Sequence, residues 1–164
     1  MPFPFYDRLS ARDQATYRKS DAVQTVTLPK ARELHPLVAE LREELARGER
    51  PQIERLAQAI ANGVTADLGI APVRVQVLAV RPSRNWGELH GLYTAEEGEV
   101  ARIQVWMRTA HHKRVVAFRT FLRTLLHELG HHVDFAHLKL RESFHTEGFF
   151  KRESSLFRQL VPER

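Results

Sequence analysis

The sequence predicts a small α+β domain: N-terminal helices, a short antiparallel three-stranded sheet, a helix carrying HELGH and a closing helix. Three observations carry this. Two upstream stretches hold apolar residues at helical spacing. A valine-rich alternating run and a hairpin pattern follow them. The last third then returns to helical periodicity, with no proline between Val115 and Ala136. Helices grouped apart from strands suit an α+β arrangement. At 164 residues the chain is one domain, long enough to bury a modest core.

Each element has its own signal. Residues 1–28 are polar and weakly patterned, and read as an N-terminal arm that is either flexible or packed over the domain. Residues 29–164 form the single domain. From Pro29 to Arg47, Leu34, Leu37, Val38, Leu41 and Leu45 recur at helical spacing, and Gly48 ends the helix. A second helix follows Pro51, with Ile53, Leu56, Ile60, Val64 and Leu68 on one face. Gly69 and Pro72 stop it. VRVQVLAV, residues 73–80, alternates and reads as a strand. Leu89 to Thr94 and Val100 to Met107 read as a hairpin around AEEGE. A sheet edge can border a cleft and add an extended peptide through main-chain hydrogen bonds. Arg102 to Met107 is the candidate rim.

His127, Glu128 and His131 form an HExxH pattern in LLHELGHHVD. Four residues at about 100° each put the two histidines one turn apart on one helix face. Two imidazole nitrogens can then reach one tetrahedral Zn²⁺, leaving places for a third protein ligand and a water. Glu128, beside the first histidine, is placed to take a proton from that water. The phase of the helix supports the motif. Phe121, Leu122, Leu125, Leu126, Leu129 and Val133 fall with Phe118 in one arc of roughly 140°, and His127 and His131 lie opposite. His132 falls inside the apolar arc and reads as a packing residue. Asp134 lies on the metal side, where it can orient a ligand imidazole.

The third ligand has four candidates. His145 lies after the helix, just before Thr146, which can cap a closing helix from Glu147 to about Leu160. Glu153 and Glu147 offer carboxylates on that following helix. His137 would need a tight turn after the second histidine, where this chain has Asp134 in place of glycine. The order of preference is His145, Glu153, Glu147, His137.

These residues resemble the SprT (Spartan) group of HExxH metallopeptidases. The matching positions are His127, Glu128, His131, His145 and Phe149, with the strand-forming segments GELHGLYT and VARIQVWM upstream. The likeness covers roughly residues 86–160. It implies a zincin-like fold, peptide-bond hydrolysis, zinc as cofactor and His145 as third ligand. The chain has Thr146 where the group usually has glycine, and it lacks the cysteines of that group's zinc ribbon. The tail RESSLFRQLVP also resembles the glutamate helix of ImmA/IrrE-type zincins, which implies Glu153 as ligand instead.

Composition narrows the rest. With 43% hydrophobic and 27% charged residues the chain reads as globular. No apolar run approaches a membrane span, and the start lacks the layout of a secretory signal, so no membrane partner and a cytoplasmic location are expected. The absence of cysteine excludes disulfides and thiolate ligands. The net charge is +5, and Arg108, Lys113, Arg114, Arg119 and Arg123 make a basic stretch with His111 and His112. It could offer weak nucleic-acid contact, but no aromatic residues are interleaved for base stacking.

The expected function is therefore zinc-dependent hydrolysis of protein or peptide substrates, with Glu128 as base. Tyr93, Arg152 and His132 are candidate oxyanion donors. The alternatives are a metal-dependent nuclease, and a DNA-associated or regulatory binding protein with a structural or vestigial zinc site.

Overall fold

The apolar stripe of each upstream helix becomes its buried face. The computed structural model describes residues 2–80, 83–84, 87–88, 91–109 and 113–162. Helices α1 (Ala11–Ala22), α2 (Ala31–Arg47) and α3 (Arg50–Leu68) come first. On α2, Leu34, Val38, Leu41 and Leu45 are buried, and on α3 Ile53, Leu56, Ile60 and Val64 are fully so. Burying each such side chain contributes about 1.5–3 kcal/mol. Gly48 takes the left-handed conformation at φ 72°, which lets its N–H close on the carbonyls of Glu44 and Leu45 and end α2.

Strands β1 (Arg74–Leu78), β2 (Ser83–Arg84), β3 (Gly87–Glu88), β4 (Gly91–Thr94) and β5 (Arg102–Trp106) follow, then α4 (Phe118–Ala136) and α5 (Glu147–Leu160). The short β2 and β3 pair with each other as a separate ribbon. Leu89 and His90, the start of the expected hairpin strand, lie outside the described residues.

The domain is α+β as expected, but its three-stranded sheet is mixed rather than antiparallel throughout. Its order is β1-β5-β4. β4 and β5 pair antiparallel, with Tyr93 opposite Ile103, as the hairpin signal requires. β1 runs parallel to β5, with Val75 opposite Ile103. Alternating burial is the same in either direction, so the valine pattern could not report which way β1 runs.

This order also overturns Arg102 to Met107 as the rim. β5 is the central strand, paired on both sides and burying Ile103, Val105 and Trp106. The two edges differ. Side chains of α3 cover that of β1: the N–H of Val75 donates to Gln58 Oε1 at 2.8 Å and that of Val77 to Glu54 Oε2 at 2.9 Å. Gln58 Nε2 donates back to the Val73 carbonyl at 2.9 Å. An edge closed in this way cannot recruit another strand. β4 packs against α4, as β5 does, and among the described residues no backbone bond is made on its outer side.

Residues 2–28 are folded against the domain. A 3-10 turn (Pro4–Arg8) precedes α1, and the Ser10 hydroxyl caps that helix by accepting from the Asp13 N–H at 3.1 Å. Tyr17 is buried, with its ring 5.2 Å from Tyr6 and 5.5 Å from Phe5.

On α4, Phe121, Leu122, Leu125, Leu126, Leu129 and Val133 are all buried, which is the predicted arc. The helix runs on through Asp134 to Ala136 with no turn after His131. Arg119 and Arg123 lie over the Phe157 ring, at 5.2 and 4.5 Å from its centroid. That part of the basic stretch covers an aromatic side chain of α5. His111 and His112 lie outside the described residues. No described helix is long and apolar enough to cross a membrane.

Candidate metal centre

The same helical phase that buries the apolar arc of α4 turns His127 and His131 outward. The chain then leaves α4, passes Leu140 and Ser143, and presents His145 at the mouth of α5. Thr146 caps α5 by accepting from the Phe149 N–H at 2.9 Å, so the position of His145 is set by the start of a helix. His145 Nε2 lies 3.1 Å from the Nε2 atoms of both His127 and His131. The three ligand-capable nitrogens all fall within 4.8 Å of one another. Phe149 forms the floor, its ring centroid 5.0, 4.9 and 5.2 Å from those of His127, His131 and His145.

The outer nitrogens explain what the inner ones present. Glu153 Oε1 lies 2.8 Å from His127 Nδ1. An ionised carboxylate only accepts, so this Nδ1 carries the proton and Nε2 keeps its lone pair. Ser143 donates to Asp134 Oδ2 at 2.7 Å and accepts from His131 Nδ1 at 2.7 Å. His131 therefore also turns a lone pair inward. Two lone pairs thus converge on the third imidazole nitrogen, His145 Nε2, whose single lone pair or N–H cannot satisfy both as a donor at full strength, whereas one cation can. Tetrahedral zinc bound at about 2.0–2.1 Å separates its nitrogen ligands by roughly 3.3 Å, close to the two 3.1 Å separations made by His145. The donor set fits a metal ion with three histidine ligands.

Electrostatics agree. Burial, with repulsion from His127 and His145, pushes the His131 imidazole down to about 3. Burial and His127 also lower His145, against the pull of Glu153. Both are held in the neutral form, the one able to bind a metal. For His127, burial opposes protonation most strongly. The Glu153 hydrogen bond and the charges of Glu128 and Glu153 together outweigh it and raise the group.

Glu128 is buried beside the histidines. Burial pushes its carboxyl up to about 7, against the charge of His127 and with help from Glu153. Gly91 at the start of β4 is what leaves it room: a Cβ there would lie 2.8 Å from Thr124 Cγ2 and 3.0 Å from Glu128 Oε2. A cleft of about 250 Å³ opens over Glu128 and His131, walled by Leu92, Tyr93, Phe135 and Ser143.

The rival ligand candidates are placed elsewhere. Glu153 faces the outer nitrogen of His127 and, at 3.4 Å, Arg123. Glu147 is exposed and pairs with Lys151 at 3.0 Å. His137 is the C-terminal cap of α4, outside the cluster. His132 is buried, as its phase predicts, with Nε2 2.7 Å from the Ala71 carbonyl. Asp134 holds the His131 imidazole through Ser143.

The candidate oxyanion donors are all engaged. His132 donates from Nε2 to Ala71, so its Nδ1 accepts from the Tyr93 hydroxyl at 2.9 Å. Arg152 is buried and bonded to Ser20, Val23 and Asp134. Sequence reasoning missed Ser143, because a single serine in a loop carries no spacing signal. It also missed α1, although Ser10 followed by Asp13 is a capping signature.

Comparison of the chain with protein-family models, with curated proteins and with solved structures finds no match.

Proposed function

We propose that this chain is a zinc-dependent peptidase with His127, His131 and His145 as ligands and Glu128 as general base. The observation that carries this is the convergence of three Nε2 atoms beside a buried carboxylate that lines an open cleft. When bound, zinc supplies an acidified water and polarises the scissile carbonyl. Glu128 takes the proton of the attacking water and returns it to the leaving amine. The engagement of Glu153 with His127 leaves a fourth position for water and substrate, which favours a catalytic over a closed structural site. His145 as third ligand agrees with the SprT resemblance more than with the ImmA/IrrE one. β4, rather than β5, is the strand along which an extended substrate would lie.

The test is metal content by mass spectrometry on protein purified without added metal, followed by a peptide-cleavage screen. The expected result is about one zinc per chain, and cleavage that Glu128→Gln abolishes while keeping the metal. Cleavage of the same substrates by Glu128→Gln would remove the mechanism. Metal binding with no cleavage and salt-sensitive DNA binding would favour the regulatory binding protein.

A further inference from the structure

One guanidinium joins the N-terminal helix to the histidine cluster. Arg152, only 3% exposed, donates to the carbonyls of Ser20 and Val23 at the end of α1. It also donates to Ser20 Oγ and to Asp134 Oδ1, each at 2.9 Å. Asp134 is fully buried and accepts from Ser143 on its other oxygen, and Ser143 accepts from His131. The path from α1 to a ligand imidazole is unbroken.

The His145 loop is tied to the same segment. Ser20 Oγ lies 2.9 Å from Thr146 Oγ1, and Asp21 Oδ1 accepts from the Gly148 N–H at 2.9 Å. The rings of Phe5 and Tyr17 lie 6.4 and 6.3 Å from that of Phe144. Three near neighbours of His145 are thus held by residues 5–21.

Resting on the reading of the three histidines as metal ligands, we propose that α1 is a working part of the metal centre. Arg152 and Ser143 are the positioning residues that couple its docking to His131. α1 buries only Thr16, Tyr17 and Ser20, so it docks largely through these polar ties. The carbonyls at its C-terminal end favour a cation, which Arg152 supplies. Arginine suits the place because its fork reaches acceptors on two helices at once. By linkage, whatever factor α1 docking adds to metal affinity, metal binding adds to α1 docking.

The test measures zinc affinity of the full chain by competition with a chromophoric chelator. Ser143→Ala cuts the path at its mildest point, and Ser143→Thr restores the hydroxyl. Gly148→Ala wedges α1 away without touching a ligand, since an added Cβ would lie 2.6 Å from the Ser20 carbonyl oxygen. Gly63→Ala is the control for general destabilisation: its Cβ would meet Leu34 at 2.2 Å, between α2 and α3. Ser143→Ala and Gly148→Ala are expected to bind zinc about 10–100-fold more weakly. Ser143→Thr should recover most of the loss, and Gly63→Ala should bind as the wild type does. Hydrogen exchange across residues 11–22 should slow when zinc is added. Wild-type affinity in both Ser143→Ala and Gly148→Ala, or an equal loss in Gly63→Ala, overturns the proposal. A wild-type chain that binds no zinc removes instead the metal reading beneath it.

Discussion

Glu153 holds His127 by its outer nitrogen: Oε1 and Nδ1 are 2.8 Å apart, so the carboxylate points away from the converging Nε2 atoms. Carboxylate–histidine pairs of this kind fix the tautomer of a metal ligand and raise its basicity.

His145→Ala should therefore lose the metal, and Glu153→Gln should keep it at about 10–100-fold lower affinity. Metal content per chain and chelator competition distinguish the two. Complete loss in Glu153→Gln, with retention in His145→Ala, would exchange the roles of these residues.

Gly130 allows the Phe149 ring to lie under the histidines. A Cβ there would stand 3.0 Å from Phe149 Cε2 and 3.1 Å from its Cζ. Alanine in a helix interior is worth about 1 kcal/mol over glycine. Gly130→Ala should forfeit that gain and weaken zinc binding, because the displaced ring carries the imidazoles with it. A variant about 1 kcal/mol more stable, with unchanged zinc affinity, would show that Phe149 is not a supporting floor.

Tyr93→Phe separates packing from catalysis. Its hydroxyl donates to His132 Nδ1, and burial raises the phenol above its usual range, so the proton stays on oxygen. Removing it leaves a buried acceptor unpaired, at a cost of about 1–3 kcal/mol. The melting temperature should fall by roughly 2–4 °C per kcal/mol for a chain of this size. Peptide turnover should be largely kept. A large loss of kcat with an unchanged melting temperature would return Tyr93 to the role of oxyanion donor.

The sequence by itself determined the helices with apolar stripes, the β4–β5 hairpin and the pairing of His127 with His131. These rest on local periodicity, which a linear reading resolves. It also placed His145 first among the third-ligand candidates, since the Thr146 cap fixes where α5 begins. What only the tertiary structure decided is which distant groups meet. The direction of β1 and the central place of β5 depend on pairing across long connections, and alternation is blind to both. Glu153 and His145 both lie near His127, and only the orientation of α5 turns one toward Nδ1 and the other toward Nε2. The N-terminal segment carries no apolar stripe, so its docking was illegible. It is held by hydrogen bonds between residues more than a hundred positions apart, such as Ser20 with Thr146.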